Sequence, residues 1–422
     1  MNDTTLVELS RAATRARPPA PLARGVVMSQ LERLSAGRLR LRDGAQSHAF
    51  GEGDGPEAMI TIADPAFYAE LAFGGSVGAA ESYMLGHWRA DDLTALMRLM
   101  LRNEDALAGM ETGLARLSGP ARRIAHWWHR NTRAGSRRNI SAHYDLGNDF
   151  FRLMLDETMM YSCALFERPD MSLAEAQAAK LDRICRALEL GPADHVVEIG
   201  TGWGGFAIHA AGRYGCRVTT TTISPSQFEL AQERVRRAGL SDRVTLLRED
   251  YRDLQGTFDK LVSIEMIEAI GHRQYESFFR RVAALVRPRG LAAVQSITIA
   301  DRHYRRTRDE VDFIKRYIFP GSCIPSVGAL VEAIAASGDL DTIGLEDIGP
   351  SYATTLAAWR CNFLRNLQAV RDLGYPETFV RMWDYYLCYC EAGFAERQLG
   401  DVQLLLRRAT TSPRARRLSP RR

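Results

Sequence analysis

The stretch VVEIGTGWGGFAIHAA (196–211) decides the fold class of this 422-residue chain. A short apolar strand runs into a glycine-rich turn, and a helix-like segment follows. Glycine has no side chain, so Gly200, Gly202 and Gly204 allow the backbone to turn tightly and to approach a ligand at the start of a helix. The stretch therefore predicts a ligand site at the carboxyl end of a buried strand.

Four further apolar segments resemble the first strand, and each precedes a helix-like segment. They are RVTTTTI (217–223), VTLLRED (244–250), KLVSIEM (260–266) and LAAVQSI (291–297). Alternation of strands and helices predicts an α/β fold with a mainly parallel sheet and crossover helices on both faces.

The glycine turn alone leaves the cofactor open. Its spacing also satisfies the dinucleotide pattern G-x-G-x-x-G, with Gly205 as the last glycine. The second strand carries no acid for a ribose, and Gln227 is the nearest group able to bind the ribose hydroxyls. Asp250 and Tyr251, after the third strand, are candidates to bracket an adenine.

The residues before this domain form a smaller region of different character. LRLRDGAQSHAFGEGDG (39–55) predicts a strand, a turn and a strand, and ESYMLGHWRADDLTALMRLMLRN (81–103) predicts a helical stretch. The predicted organisation is a flexible tail (1–24), an α+β domain (25–112), a basic linker (113–140), the α/β domain (141–406) and a basic disordered tail (407–422).

Composition indicates a soluble globular protein. Hydrophobic residues make up 46% and charged residues 25% of the chain, and no apolar run of 18 residues occurs. The first residues lack the apolar core of a secretory signal, and seven irregularly spaced cysteines favour reduced thiols. We therefore expect a cytoplasmic location.

Positive charge is concentrated in two strips. Residues 122–138 contain six arginines and residues 407–422 contain seven, with no acid in either. The net charge of the whole chain is +4, so the remaining residues together carry a net charge of −9. Such strips predict contact with a polyanion, either nucleic acid or an anionic membrane. Trp127 and Trp128, within the first strip, favour a lipid interface.

Eight motifs follow one another along the chain. They are FGGSVGAAESYMLGHW (73–88), HYDLGNDFFRLMLDETMMYSCALF (143–166), VVEIGTGWGG (196–205), TTISPSQ (221–227), EDYRDL (249–254), SIEMIEAIG (263–271), DFIKRYIFPGSCIPS (312–326) and YYLCYCEAGF (385–394). Together they resemble the cyclopropane-fatty-acyl-phospholipid synthase family of S-adenosylmethionine-dependent methyltransferases, which includes the mycolic acid cyclopropane synthases. The resemblance covers nearly the whole chain and implies a Rossmann-like class I methyltransferase domain with a smaller N-terminal α+β domain.

The resemblance also implies the cofactor, S-adenosylmethionine, and the residues that hold it. These are Tyr161 and Ser162 at the methionine part, Gly200 and Gly202 beneath it, Thr222, Ile223 and Gln227 at the ribose, and Asp250, Tyr251 and Arg252 at the adenine.

The implied activity is transfer of a methylene group to a cis double bond in a phospholipid acyl chain. Methyl transfer to the alkene leaves a carbocation, and ring closure needs a base close to it. A side-chain carboxylate touching the cation is at risk of alkylation, so a small bound anion suits the task. In the family this anion is bicarbonate, and the resemblance places Glu268 and Tyr352 around it, with the N–H groups of Cys163 and Ile297.

Two positions depart from many bacterial members of the family. Ala269 and Gln295 stand where those proteins carry histidine. Gln295 is able to donate a hydrogen bond to bicarbonate but does not titrate, and plant-type cyclopropane synthases share it. Enzymes that make methylene- or methyl-branched chains also share the EMIEAIG-like pattern, so the product stays open.

Cys390 aligns with a cysteine traditionally assigned to the family's active site, although the chemistry needs no thiol and core packing explains a cysteine on an aromatic-rich helix. Cys388 and Cys390 do not predict a metal site, because residues two apart on a helix point to different sides.

The expected partner is the surface of a phospholipid bilayer, reached from its cytoplasmic, inner face, with a homodimer left open. Two other functional classes each account for part of the sequence. A nucleic-acid methyltransferase would explain the basic strips, but a signature such as Asn-Pro-Pro-Tyr is absent. A non-catalytic lipid-binding protein would explain the loss of the histidine at Gln295.

Overall fold

The computed structural model describes residues 20–107 and 146–410. These residues pack into two compact units. The first consists of 20–107, Glu310–Pro320 and Leu356–Glu396, and the second of 146–309, Gly321–Thr355 and 397–410. This division concerns packing, and the domain boundaries inferred from the sequence stay a prediction.

The strands, in chain order, are β1 (Arg38–Asp43), β2 (Gln46–Phe50), β3 (Glu57–Ile62), β4 (Trp88–Ala90), β5 (His195–Ile199), β6 (Arg217–Thr221), β7 (Val244–Leu247), β8 (Phe258–Ile264), β9 (Val286–Ile299), β10 (Leu340–Asp347) and β11 (Leu399–Arg408). The α-helices are α1 (Ala20–Leu31), α2 (Ala66–Met84), α3 (Leu93–Arg102), α4 (Asn148–Arg152), α5 (Leu173–Ala187), α6 (Gly205–Tyr214), α7 (Pro225–Arg237), α8 (Tyr275–Leu285), α9 (Asp301–Asp309), α10 (Val327–Ser337), α11 (Pro350–Arg365), α12 (Leu367–Asp372) and α13 (Glu377–Ala395). Shorter turns of other helix types span Ile267–Ala269, His272–Gln274 and Ile314–Ile318.

The first unit contains a four-stranded sheet in the order β2-β1-β3-β4. β1 pairs antiparallel with β2 and parallel with β3, and β3 pairs antiparallel with β4. The predicted strand, turn and strand at 39–55 is confirmed by β1 and β2.

The predicted helical stretch at 81–103 is wrong in its middle. α2 ends at Met84, and Gly86 takes a φ of 82°, a left-handed conformation that ends helices. The strand β4 follows. The carboxylate of Asp92 then accepts a hydrogen bond from the backbone N–H of Ala95, which begins α3. The stretch therefore forms a helix end, a strand and a second helix.

The second unit contains a seven-stranded sheet in the order β10-β11-β9-β8-β5-β6-β7. The five strands from β9 to β7 run parallel. β11 pairs antiparallel with β9, and β10 pairs antiparallel with β11. The predicted α/β fold with a mainly parallel sheet is confirmed, and two antiparallel strands extend one edge.

Both faces of this sheet are buried. Val196 packs in one apolar layer with Leu181 of α5 and Phe206 of α6. Its neighbour Val197 points to the opposite layer and packs with Phe278 of α8. Successive side chains of a strand face opposite sides, so a strand covered on both faces is apolar throughout. This explains the near-continuous apolar pattern of the first strand.

Both ends of the described chain extend ordered structure into segments predicted to be flexible. α1 begins at Ala20, inside the predicted 1–24 tail, and β11 runs to Arg408, inside the predicted 407–422 tail. The predicted basic strip at 122–138, with Trp127 and Trp128, lies outside the described residues. Within the described ranges, none of the helices combines the length and apolar character needed to cross a bilayer.

Candidate active site

The carboxyl ends of the parallel strands lie along one edge of the second unit's sheet, where ligands bind in folds of this type. Glu265 directly follows β8, and Glu268 lies in the short turn Ile267–Ala269. On the neighbouring strand β9, Gln295 pairs with Ile264. Two carboxylates and an amide are therefore close together next to the glycine turn that follows β5.

The carboxylate of Glu265 is held by three donors. Its Oε1 accepts from the backbone N–H of Cys163 at 2.8 Å and from Nε2 of Gln295 at 2.9 Å. Its Oε2 accepts from the hydroxyl of Tyr352 at 2.6 Å. The backbone of Glu265 has a φ of 47°, in the left-handed region that favours glycine. A strained backbone thus directs this carboxylate into a set of convergent donors.

The carboxyl group of Glu268 is buried, so this residue is not a surface glutamate. Its Oε1 accepts from the backbone N–H of Ile297 at 2.5 Å and from the hydroxyl of Ser296 at 3.0 Å. Its Oε2 is buried, and no partner for it is found in the described part of the chain. Burial, with the adjacent charge of Glu265, raises the pKa of Glu268 to about 8. At neutral pH Glu268 is therefore mainly a neutral acid with a proton to donate.

The groups predicted to hold bicarbonate divide into two sets. Cys163 and Tyr352 donate to Glu265, whereas Ile297 donates to Glu268. Bicarbonate would require these donors to leave the carboxylates that they already satisfy. The donors therefore do not fit bicarbonate in the predicted arrangement. Glu265 was not among the residues predicted from the sequence, although it directly follows β8 and precedes Glu268 by three residues.

Asp401 lies behind Gln295 and was not predicted. Nε2 of Gln295 donates to Oδ2 of Asp401 at 3.0 Å as well as to Glu265, and Nε2 of Gln403 donates to Oε1 of Gln295 at 3.1 Å. Burial and the nearby Glu265 carboxylate hold the pKa of Asp401 well above its usual range. An acid in the apolar strand LGDVQLLL was the available signal. Gln295 is thus fixed from three sides.

Lys180 places a positive charge within this unit, and it was also missed. Its side chain is fully buried on α5, and Nζ donates to the hydroxyl of Ser162 at 2.7 Å. Burial lowers the pKa of Lys180 to about 8, although the charge of Glu265 acts in the opposite direction. Gln177 donates to the carbonyl of Ser162 at 2.9 Å. Ser162, a predicted cofactor residue, is held by two side chains of one helix.

The glycine turn has the shape that a close ligand requires. Gly200 and Gly202 have φ values of 100° and 51°. The N–H groups of Gly200 and Thr201 both donate to the carbonyl of Thr221, which ties the turn to β6. A methyl group built at Gly202 would meet no protein atom within 4 Å. The open space at Gly202 fits a cofactor approaching the backbone.

Tyr161 lies near this turn through a shared aromatic neighbour. The ring of Phe151 packs against Tyr161 at 5.3 Å and against Trp203 at 4.9 Å between centroids. Trp203 follows Gly202 in the turn, and its indole N–H donates to Asn148 at 2.7 Å. The position fits the predicted role of Tyr161, which stays a prediction.

The predicted ribose residues form a compact turn after β6. The hydroxyl of Thr222 donates to Oε1 of Gln227 at 2.9 Å, and both side chains are buried. Ser224 caps α7 by accepting from the N–H of Gln227 at 3.3 Å. Ile223 lies half-buried between them. The structure brings these residues together, and their contact with a ribose stays a prediction.

The predicted adenine residues interact mainly with each other. The guanidinium of Arg252 donates to both oxygens of Asp250, at 2.8 and 2.5 Å, and lies 5.7 Å from the ring centroid of Tyr251. The Tyr251 ring packs edge-on against Phe278 at 5.7 Å and is nearly buried. Packing therefore accounts for the ring of Tyr251, and its contact with adenine stays a prediction.

Cys390 lies on α13, in the first unit. Burial raises the pKa of its thiol above the usual value of 9.0, so the thiol is protonated at neutral pH and is a poor nucleophile. A catalytic role for Cys390 stays a prediction. Residues 20–107 and 146–410 contain no group of three or more His, Cys, Asp or Glu side chains arranged to hold a metal ion.

Known proteins resemble this chain at the level of family and of fold. A family model described as mycolic acid cyclopropane synthetase matches residues 131–404. The chain is 37% identical over 402 residues to tuberculostearic acid methyltransferase UfaA1 of Mycobacterium tuberculosis. The matched region covers 92% of this chain and 93% of that protein. It is 39% identical over 353 residues to the cyclopropane-fatty-acyl-phospholipid synthase of Escherichia coli K12, covering 82% and 86% of the two chains.

Two solved structures share the fold at 30% sequence identity. The cyclopropane synthase MmaA2 from Mycobacterium tuberculosis superimposes with a TM-score of 0.60 and covers 64% of this chain and 98% of its own. The mycolic acid cyclopropane synthase CmaA1, complexed with SAH and CTAB, gives the same TM-score and coverage. The expected class I methyltransferase fold is thereby confirmed.

Proposed function

Because this chain belongs to the mycolic acid cyclopropane synthetase family of S-adenosylmethionine-dependent, lipid-modifying methyltransferases, we propose that it transfers a methylene group from S-adenosylmethionine to the cis double bond of an unsaturated acyl chain. The substrate is an acyl chain of a membrane phospholipid, and the product is a cyclopropane fatty acid. The match to the Escherichia coli synthase, over most of both chains, supports this substrate class.

The observation that carries the proposal is the carboxyl pair Glu265 and Glu268 beside the glycine turn. S-adenosylmethionine supplies an electrophilic methyl group when it is bound. Attack by an alkene develops positive charge on the acyl chain, and ring closure then releases a proton. A carboxylate held by fixed donors stabilises such a charge without reorganisation, because the carboxylate is already oriented before the reaction begins. The site thus offers one charged acceptor and one neutral acid.

The residues of this chain have separable tasks in that reaction. Gly200 and Gly202 give the cofactor access to the backbone, and Ser162 is fixed for the methionine end by Lys180. Glu268, protonated at neutral pH, adds no second negative charge next to Glu265. The arrangement supports electrostatic stabilisation of a cation on the acyl chain.

A methyl- or methylene-branched product is the second candidate. The tuberculostearic acid methyltransferase of Mycobacterium tuberculosis matches 92% of this chain, which favours it. Both candidates begin with methyl transfer to the alkene. They differ in where the C–H electron pair goes when the new methyl group loses its proton. The pair either bonds to the neighbouring cationic carbon and closes the ring or, once a 1,2-hydride shift has moved the cation to the methylated carbon, forms an exocyclic double bond. A saturated methyl branch needs, in addition, a hydride donor that reduces this double bond.

Bicarbonate as the proton acceptor is implied by the family resemblance. It would require Cys163 and Tyr352 to turn from Glu265 to the ion. Cytoplasmic location and docking on the inner face of the membrane also remain proposals. Docking is supported by the arginines of residues 122–138 together with Trp127 and Trp128.

The test is mass spectrometry of fatty acids after incubation of the protein with S-adenosylmethionine and vesicles of cis-monounsaturated phospholipid. A gain of one CH₂ is expected, and NMR of the product should show a cyclopropane ring. An exocyclic methylene would instead select the branched-chain candidate. No gain in mass, with the cofactor bound, would refute the proposal for this lipid class.

A further inference from the structure

We infer that the carboxylate of Glu265 takes the place of bicarbonate in this protein and accepts the proton lost from the transferred methyl group. The inference deepens the proposed function and rests on it. Its structural basis is the meeting of three donors, from Cys163, Gln295 and Tyr352, at this one side chain.

The donors form an oxyanion cradle that the protein fills by itself. One donor is a backbone N–H, one is a buried amide and one is a buried hydroxyl, and they come from three separate parts of the chain. Gln295 is in turn held by Asp401 and Gln403, which fixes its amide nitrogen toward Glu265. Among the described residues, the three donors of this cradle are already taken by the Glu265 carboxylate, so a second anion would have to displace it.

The backbone at Glu265 supports the same conclusion. Its φ of 47° is strained for any residue with a side chain and free of strain for glycine. Strain of this kind persists where the surrounding structure and a function hold it. A glycine here would remove the backbone strain but would also leave the cradle without its carboxylate. The strained glutamate therefore places a carboxylate among the three donors.

The acidic neighbours of Glu265 also argue against an additional anion, although Lys180 contributes a positive charge to the same region. Glu268 and Asp401 are both near Glu265, and burial together with the Glu265 charge raises the pKa of both. Two buried acids next to one carboxylate already favour their neutral forms. A bicarbonate ion would add a further negative charge to the same buried region.

The chemical step balances without another reactant. The C–H bond of the transferred methyl group breaks, its electron pair forms the last bond of the ring, and the proton goes to Glu265. Oε2 is the favoured oxygen, because Oε1 already accepts from two donors and Oε2 accepts from Tyr352. The three donors also withdraw charge from the carboxylate, which reduces its tendency to be alkylated by the cation.

The decisive variant is Glu265→Gly, measured beside the wild type in buffer stripped of carbon dioxide and in buffer with millimolar bicarbonate. Wild-type turnover should be equal in the two buffers. Glu265→Gly should be about 100-fold slower or more in stripped buffer, as expected for loss of a positioned base, and should recover about 10-fold or more with bicarbonate. Glu265→Gln should be slow in both buffers, because its amide still fills the cradle.

A matched control is available in the second unit. Glu189 is an exposed residue at a φ of 53°, at the end of α5, and Glu189→Gly relieves a similar backbone conformation away from the site. This variant should turn over at the wild-type rate in both buffers. Thermal unfolding of each variant should show that the folded state is retained.

Three outcomes would separate the inference from the proposed function. Wild-type turnover that falls in stripped buffer and returns with bicarbonate overturns the inference and leaves the function standing. Rescue of Glu265→Gln by bicarbonate overturns it as well, because the ion would then bind elsewhere. If no lipid product forms under any condition, the function fails. Carbon-13 NMR of labelled bicarbonate then shows whether the ion binds in the cradle. A bound signal with Glu265→Gly alone upholds the inference, and a bound signal with the wild type overturns it.

Discussion

Replacing Glu268 by glutamine should stabilise the protein at alkaline pH. The glutamine keeps an acceptor for the N–H of Ile297 and the hydroxyl of Ser296, and its amide group stands where the protonated Oε2 lies. It resembles the neutral form of the acid, which the folded protein favours. Glutamine stays neutral when the pH rises, whereas the wild-type glutamate either becomes a buried anion or keeps its proton at a cost in stability.

The magnitude follows from the two protonation equilibria. The folded chain holds the Glu268 proton to about pH 8, whereas the ordinary value of 4.5 applies to the unfolded chain. Between these values the folded state binds more protons, so wild-type stability falls as the pH rises and becomes constant above about 8. At about 1.4 kcal/mol for each tenfold change, the full difference corresponds to about 3 to 5 kcal/mol. The advantage of Glu268→Gln should therefore appear between about pH 5 and pH 8 and remain above that range.

Urea unfolding of both proteins at about pH 5.5 and pH 9 measures the effect. Comparing variant with wild type at each pH cancels the contributions of other titrating groups. The difference in free energy of unfolding should grow by about 3 kcal/mol between the two conditions. Glu189→Gln, at an exposed position, is the control and should show no growth. An unchanged difference for Glu268→Gln at both pH values would refute the assignment of Glu268 as a buried neutral acid.

Three further predictions concern the site and its surroundings. Tyr352→Phe removes the hydroxyl that donates to Glu265, and steady-state kinetics should show a kcat about 10- to 100-fold lower with cofactor affinity unchanged; an unaltered kcat would contradict a role for this contact. Gly202→Ala should weaken binding of S-adenosylmethionine by about 10-fold or more in calorimetry, whereas Gly44→Ala, at a similar φ and in equally open space, should not change it. Cys390→Ala should keep turnover within about twofold in the vesicle assay, because a buried, protonated thiol is a poor nucleophile, and a large loss would restore its catalytic assignment.

The predicted elements that proved correct were those whose signal is local. Strand β5 and the glycine turn after it are encoded within one stretch, 196–211, because an apolar run and three glycines each act on their own backbone. The hairpin of β1 and β2 is local in the same way. The prediction of a helical stretch at 81–103 was wrong in its middle, because apolar spacing does not show where a helix ends or which residues pair with a distant strand. Here Gly86 has a positive φ after the end of α2, and β4 forms because it pairs with β3.

The sequence by itself determined the mainly parallel sheet, the cofactor turn and the importance of the segment around Glu268. Only the tertiary structure decided which carboxylate receives the donors. Cys163, Tyr352 and Gln295 are 102, 87 and 30 residues from Glu265 along the chain, and no local pattern links them. The approach of Gln295 to Glu265 depends on the order of strands in the sheet, which places β8 beside β9, whereas Tyr352 comes from α11 and Cys163 from the segment between α4 and α5. Hydrogen-bond partners and burial arise from this packing, so the convergence of these donors on Glu265 and not on Glu268 became visible only in the folded chain.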